Sequence, residues 1–270
     1  MTQTTTPFFK MSGCGNDFIA LVEPGTLPAA AIIRGWCRRG VSLGADGVFA
    51  LRRGDGFVAM RYWNSDGGEA ALCLNGTRCA ALLAFHLGWR RDRVTVRTGA
   101  GDLAARLLDD GAVAVEAPRP DTPREVLLAT GDGEFRGWLV RVGVPHFVCL
   151  GDRPVEEVPI ERWAPALRRH RALGPEGANV DFARLADRHV LAIRSFERGI
   201  EGETLACGTG VLATAAAAIA AGAADLPIRA HTRGGFPLDV LGRSDGRQIE
   251  RWELAGEARL VAEGTLHAEG

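Results

Sequence analysis

Gly67-Gly68-Glu69-Ala70-Ala71-Leu72-Cys73-Leu74-Asn75-Gly76-Thr77 and Glu201-Gly202-Glu203-Thr204-Leu205-Ala206-Cys207-Gly208-Thr209-Gly210 are two renderings of one segment. In each, a glutamate stands four residues before a cysteine, and the cysteine leads into a small, polar, glycine-containing turn that opens a helix. The cysteines lie 134 positions apart (207 − 73) in a chain of 270 residues, about half its length. Repetition at that spacing implies two similar halves facing each other across a cleft.

Outward from these segments, short alternating or β-branched runs predict strands at Phe57 to Trp63, Arg93 to Thr98, Ala112 to Ala117, Trp138 to Val142, Phe147 to Leu150 and Val190 to Phe196. Helices are expected at Leu27 to Arg39, Thr77 to Leu87, Ile160 to His170 and Thr209 to Ala221, three of them closed by Gly40, Gly88 and Gly222. Strands outnumber helices, which argues against a steady βαβ alternation. The stretch Pro118 to Pro123, rich in Pro, Arg and Asp, is the natural boundary between halves. A chain this long exceeds the usual single-domain size, so two domains or one large α/β domain are the options.

Composition narrows the partners. With 46% apolar and 24% charged residues the chain has an ordinary globular make-up, so neither disorder nor a fibrous design is indicated. Basic and acidic residues nearly balance, 32 against 33, and no polybasic tract is present, which speaks against nucleic acid. Val211 to Ala224 is the most apolar long stretch, but it is Ala-dominated and falls short of the roughly 20 residues that span a bilayer. It reads as a buried helix, and no membrane association is expected. The residues Met1 to Thr6 lack the charged and apolar regions of a secretory signal, so the expected address is cytoplasmic. Gly13-x-Gly15 resembles part of a phosphate loop, but no Gly-Lys-Ser/Thr or dinucleotide fingerprint accompanies it.

Cysteines 14, 37, 73, 79, 149 and 207 are too scattered for a disulfide framework, and no Cys-x-x-Cys pair suggests a metal. A free cysteine is most often a small core hydrophobe, which is the reading for Cys14, Cys37, Cys79 and Cys149. Cys73 and Cys207 differ in their duplicated context. A helix N-terminus offers unpaired N–H groups and partial positive charge, which lowers a thiol's pKa and binds an anion such as a carboxylate. Two such thiols fit racemisation by two bases: one thiolate removes a proton from a carbon while one thiol returns a proton to the opposite face. Helix-terminal N–H groups would stabilise the charge that builds on the substrate carboxylate, without metal or pyridoxal.

The chain resembles the diaminopimelate epimerases, which interconvert LL- and meso-diaminopimelate on the route to lysine and peptidoglycan. The matching blocks are Phe9-Lys10-Met11-Ser12-Gly13-Cys14-Gly15-Asn16-Asp17-Phe18, Gly44-Ala45-Asp46-Gly47, Asn64-Ser65-Asp66-Gly67, Cys73-Leu74-Asn75-Gly76-Thr77-Arg78-Cys79, Gly143-Val144-Pro145-His146, Asn179-Val180-Asp181-Phe182, and Glu197-Arg198-Gly199 followed by Cys207-Gly208-Thr209-Gly210. The resemblance implies an α+β fold of two pseudo-symmetric domains, each a β-barrel-like sheet wrapped around a central helix. The first would span residues 1–118, with residues 258–270 returning to it, and the second residues 119–257. It implies an active site between the domains, a homodimer and no cofactor. Cys73 and Cys207 match the catalytic thiols. Asn75, Gly208, Thr209 and the backbone at Leu74 match groups around the reacting carboxylate. Asn16, Asn64, Asn179 and Arg198 match residues that hold the substrate, Arg198 being suited to a distal carboxylate. His146 and Glu197 match residues that tune the thiols, Glu197 also lying against the substrate.

Each of these also has a structural reading: Asn16 and Asn64 as turn residues, Arg198 as a solvated charge, His146 as a satisfied core histidine. Three positions depart from the family pattern. Leu74 replaces the usual glycine beside a catalytic thiol, Val144 replaces an asparagine, and Gly47 stands where some members have glutamine. Other readings are a cofactor-independent racemase of histidine or glutamate, an isomerase of the phenazine-biosynthesis type, and a non-catalytic amino-acid-binding relative.

Overall fold

The alternating runs fold as strands, and the two cysteine-led segments as helices. The computed structural model describes residues 5–244 and 249–267. In chain order the elements begin with β1 (Thr5–Gly13), β2 (Asn16–Val22), α1 (Ala30–Cys37), β3 (Gly47–Arg53), β4 (Phe57–Asn64), β5 (Glu69–Ala70), α2 (Leu74–His86), β6 (Arg93–Thr98), β7 (Gly101–Leu107) and β8 (Val113–Glu116). They continue with β9 (Arg124–Thr130), β10 (Gly133–Val142), β11 (Val144–Leu150), α3 (Ile160–Arg168), β12 (Asn179–Asp187), β13 (Val190–Glu197), β14 (Gly202–Thr204), α4 (Gly208–Ala220), β15 (Ile228–His231), β16 (Pro237–Ser244), β17 (Ile249–Gly256) and β18 (Arg259–His267). The chain divides into two compact units: Met1–Glu116 with Gly256–Gly270, and Ala117–Ala255.

Each unit runs through the same sequence of pairings. In the first, β1 and β2 form an antiparallel hairpin, β2 pairs β3 in parallel, β3 pairs β4 antiparallel, and β4 pairs β6 in parallel before β6, β7 and β8 meander. In the second, β10 and β11, β11 and β12, β12 and β13, β13 and β15, and β15 and β16 repeat that order. A parallel pair cannot be joined by a tight turn, so each one requires a crossover. The crossovers carry α1 and α2 in the first unit and α3 and α4 in the second.

One strand breaks the serial match. β9, the first strand of the second unit, pairs with β10; its counterpart in the first unit is β18, the last strand of the chain, which pairs antiparallel with β1 from Thr5↔His267 to Ser12↔Arg259. A C-terminal strand was expected within residues 258–268; Ala268 lies outside the described residues.

The helices that follow the two cysteines are central. α2 packs against β1, β2, β3, β4, β6, β7, β8 and β18, and α4 against β10, β11, β12 and β16. A helix hydrophobic all round belongs inside, and α4, with Val211, Leu212 and a run of alanines buried, is of that kind. Its small side chains let the sheet approach closely.

Element bounds differ from expectation for physical reasons. The predicted starts at Thr77 and Thr209 move back to Leu74 and Gly208, because the glycine-containing turns are themselves the first helical turn and the cysteines are the N-caps. The helix expected over Leu27 to Arg39 is confined to α1: Pro28 biases its predecessor away from helix, and Ala29 and Arg38 are both extended. The helix expected to reach His170 stops at Arg168, because His170 turns extended. Gly13-Cys14-Gly15-Asn16 is a two-residue hairpin loop, with Cys14 and Gly15 at φ of +51° and +89°, the left-handed pair that such a turn requires.

Leu266 on β18 is buried in a core cluster with Phe8, Ile19, Leu21, Ile33 and Trp36, whereas Val261 on the same strand is 57% exposed. Leu266→Ala should therefore lower the unfolding free energy by roughly 2–4 kcal/mol, and Val261→Ala by less than about 0.5 kcal/mol, as read by urea denaturation. Equal effects would show that β18 is not part of this core.

Candidate active site

The first unit gathers one set of candidate residues around the start of α2. Cys73 caps the helix, accepting the Gly76 N–H at 3.4 Å, while its carbonyl accepts the Thr77 hydroxyl at 2.9 Å. The side chain of Asn16, at the first position of β2, donates to Asp46 Oδ2 at 3.0 Å and accepts from the Asn75 amide; Asn75 Oδ1 accepts from Arg78 at 2.5 Å. A carboxylate at one end and a guanidinium at the other fix the direction of both amides. Tyr62 on β4 hydrogen-bonds Cys73, and burial first, then that thiol, pushes its phenol well above the usual value. A cleft of about 560 Å³ runs past Met60, Tyr62, Glu69 and Cys73 to Arg97 and Gly99.

The second unit gathers the other set around the start of α4. Cys207 caps the helix and lies 3.5 Å from the Thr209 hydroxyl. That hydroxyl is 3.0 Å from His146 Nε2, and His146 Nδ1 is 2.7 Å from Asp181 Oδ2, both side chains fully buried. Ser195 donates to the other Asp181 oxygen at 2.6 Å. Glu197, at the end of β13, accepts the Thr204 hydroxyl at 2.6 Å. Parallel pairing of β11 with β12 sets His146 opposite Asn179, whose Oδ1 accepts the backbone N–H of Arg198 at 2.8 Å. The half-buried Arg198 guanidinium meets the exposed Glu176 at 3.4 Å.

Helix N-termini lower thiol pKa values, yet burial pushes the Cys207 thiol well above its usual value, aided by the nearby Glu197 and Asp181 carboxylates. The expected lowering therefore does not hold for this cysteine: desolvation and like charge outweigh the helix end. Burial also raises Glu197, against hydrogen bonds from Thr204 and Cys207. Of the four cysteines read as core residues, Cys14, Cys37 and Cys79 are buried and Cys149 is half-buried. Burial drives the Cys37 thiol up to about 11 and raises Cys79 and Cys149 further.

Among the expected site residues, Asn64 is exposed, its backbone holding the turn to Gly67 and Gly68. Leu74 is 4% exposed, so its bulk is buried. Val144 opens β11 opposite Val142. Gly47 is small for a local reason: a Cβ there would lie 2.6 Å from the Tyr62 ring and 2.8 Å from its hydroxyl. Glutamine at that position and tyrosine at 62 exclude each other. Sequence reasoning missed Tyr62, Asp181 and Ser195. Asp181 lies inside a quoted block and was open to detection; Tyr62 and Ser195 read as ordinary strand residues. Among the described residues no cluster of three or more His, Cys, Asp or Glu could hold a metal ion, and no helix is long and apolar enough to cross a membrane.

Duplicated units, each a sheet about a helix, define a fold class that this chain shares with solved isomerase and biosynthetic structures. A Bacillus anthracis phenazine biosynthesis protein matches with a TM-score of 0.74 at 15% identity, over 97% of this chain and 99% of that one. A hydroxyproline epimerase from Agrobacterium vitis matches with 0.68 at 15% identity, over 98% and 93%. At such identities the likeness concerns the fold. Sequence decides the family: the diaminopimelate epimerase family model matches residues 8–121 and 138–250. Diaminopimelate epimerases of Gemmatimonas aurantiaca and Aquifex aeolicus are 37% and 31% identical, over 96% and 97% of this chain and 98% of each relative. The chain belongs to the diaminopimelate epimerase family.

Because the Glu197 carboxylate raises the Cys207 thiol, Glu197→Gln should lower it again. Each unit of lowering multiplies the thiolate fraction about tenfold, so Cys207 should alkylate with iodoacetamide severalfold faster at pH 8, as followed by peptide mass spectrometry. An unchanged or slower rate would remove Glu197 from this role.

Proposed function

We propose that this protein interconverts LL- and meso-2,6-diaminopimelate, with Cys73 and Cys207 acting on opposite faces of the α-carbon. The observation that carries the reading is that each duplicated unit caps its central helix with a cysteine. At Cys73 the Gly76 amide and the Tyr62 hydroxyl both meet the sulfur, and these two donors suit it to the role of the group that takes the α-proton. At Cys207 burial and two carboxylates favour the thiol, which can deliver a proton. One turnover exchanges these states, so the pair titrates as a unit and serves both substrate hands.

Removing the α-proton places negative charge on the substrate carboxylate. The N–H groups at the starts of α2 and α4, at Leu74, Asn75, Gly208 and Thr209, are the donors we assign to it, since the first N–H groups of a helix have no partner within it. Arg198, tied through its backbone to Asn179 and only loosely paired to Glu176, is assigned to the distal carboxylate, with Asn16 and Asn64 completing the grip. His146 and Glu197 tune Cys207. Both proton transfers are made by thiols, so this chemistry calls for no cofactor. A homodimer in the cytoplasm completes the proposal on the strength of the family resemblance. A racemase of another amino acid is the second reading, favoured by the Gly47 and Val144 departures.

Incubation with LL-diaminopimelate in deuterated water should yield meso product carrying deuterium at the inverted carbon; no exchange from either isomer would refute the proposal. Cys73→Ser or Cys207→Ser should lower kcat at least about 100-fold, while Cys79→Ser retains most activity. Arg198→Ala should damage diaminopimelate turnover far more than turnover of any monocarboxylate amino acid, and the opposite order would favour the second reading.

A further inference from the structure

The polar groups behind Cys207 form a chain whose direction can be worked out. Asn179 Oδ1 is occupied by the Arg198 N–H, so its Nδ2 is the atom 3.5 Å from His146 Nε2. An amide nitrogen only donates, so Nε2 must accept. On the other side of the ring, Nδ1 stands 2.7 Å from a buried carboxylate oxygen, which only accepts, so Nδ1 must carry the proton. These two readings are independent and agree. With Nε2 an acceptor, Thr209 donates its hydroxyl proton to it across 3.0 Å, which leaves the Thr209 oxygen able to accept from the Cys207 thiol at 3.5 Å when that S–H is turned from Glu197 to Thr209.

What fixes the carboxylate is equally specific. Asp181 is fully buried, and Ser195, 4% exposed, donates to its Oδ1 at 2.6 Å. The third side of that oxygen is closed by Gly210 in the first turn of α4, where a Cβ would come within 2.5 Å of it and 3.1 Å of the Ser195 hydroxyl. The Cys-Gly-Thr-Gly turn thus ends in glycine because the helix start rests directly on this aspartate. The mechanism above uses Asp181 only as one of the two carboxylates that raise Cys207, and it gives Ser195 no place.

We propose that Asp181, braced by Ser195, is a positioning residue that holds His146 with Nδ1 protonated and Nε2 accepting, and so makes Thr209 a proton bridge between Cys207 and His146. The step balances: the Sγ–H proton passes to Thr209 Oγ1 as the Thr209 hydroxyl proton passes to His146 Nε2. The products are a thiolate, an unchanged hydroxyl and an imidazolium whose charge lies against Asp181. Reversal restores the thiol. The bridge gives Cys207 a route to the thiolate that it needs when it serves as base, and this part of the inference rests on the reading of Cys207 as a proton-transfer group.

The test is nitrogen NMR of the full-length protein labelled with [15N]histidine, the His146 signals being assigned by their loss in His146→Gln. A protonated Nδ1 and an unprotonated Nε2 at neutral pH are expected; an Nε2–H tautomer or a doubly protonated ring would overturn the proposal. This readout needs no substrate, so it stands apart from the failure or success of diaminopimelate turnover. Asp181→Asn should lower kcat about 100-fold with KM within about threefold, and Thr209→Val should do the same while Thr209→Ser restores most of the rate. Ser195→Ala, the milder change, should lower kcat roughly tenfold and increase the Nε2–H form. Wild-type kcat and tautomer in folded Asp181→Asn or Ser195→Ala protein would refute the assignment.

Discussion

A helix that begins inside a sheet must find partners for backbone N–H groups that water cannot reach. That constraint governs both units. In α2 one of those groups, the Gly76 N–H, goes to the sulfur of the capping Cys73. In α4 the capping sulfur meets the Thr209 hydroxyl at 3.5 Å and faces the Gly210 N–H. The glycines of the two turns answer the same constraint. Gly76 lies 3.2 Å in Cβ terms from a methionine methyl and 3.5 Å from Cys73 Sγ, and Gly210 rests on Asp181, so neither helix start tolerates bulk.

The same architecture makes the two thiols unequal. Cys73 is half-buried beside a phenol and an amide, both donors, whereas Cys207 is buried among carboxylates. In two-base chemistry such inequality sets which thiol rests ionised, and each turnover inverts the arrangement. The two halves share a frame, and unlike neighbours, Tyr62 beside Cys73 and Glu197 and Asp181 beside Cys207, give it polarity.

Much of this was readable from sequence because it is local. Cysteine, glycine and threonine in a repeated order before an Ala-rich run announce a capped, buried helix, and the alternation of Val190 to Phe196 announces a strand. The His146–Asp181–Ser195 group was not readable, because it joins three strands through parallel and antiparallel registers that no local pattern encodes. The sense of the thiol shift at Cys207 was misjudged for the same reason: the helix end is visible in sequence, while the burial and the Glu197 charge that overrule it are tertiary. Leu74 and Gly47 drew attention as departures, but only packing shows that the first is buried and the second makes room for Tyr62.

The equivalence of β18 and β9 has a consequence for the order of events during synthesis. The second unit is contiguous, so all its strands leave the ribosome in one run, whereas β1 emerges first and its partner β18 last. Until residues 259–267 appear, one side of β1 is an unsatisfied strand edge, a template for pairing with another chain. Closing the first unit therefore demands contacts across nearly the whole polypeptide, the slowest kind to form. The nascent protein must guard a sticky edge for as long as the residues between β1 and β18 are being made.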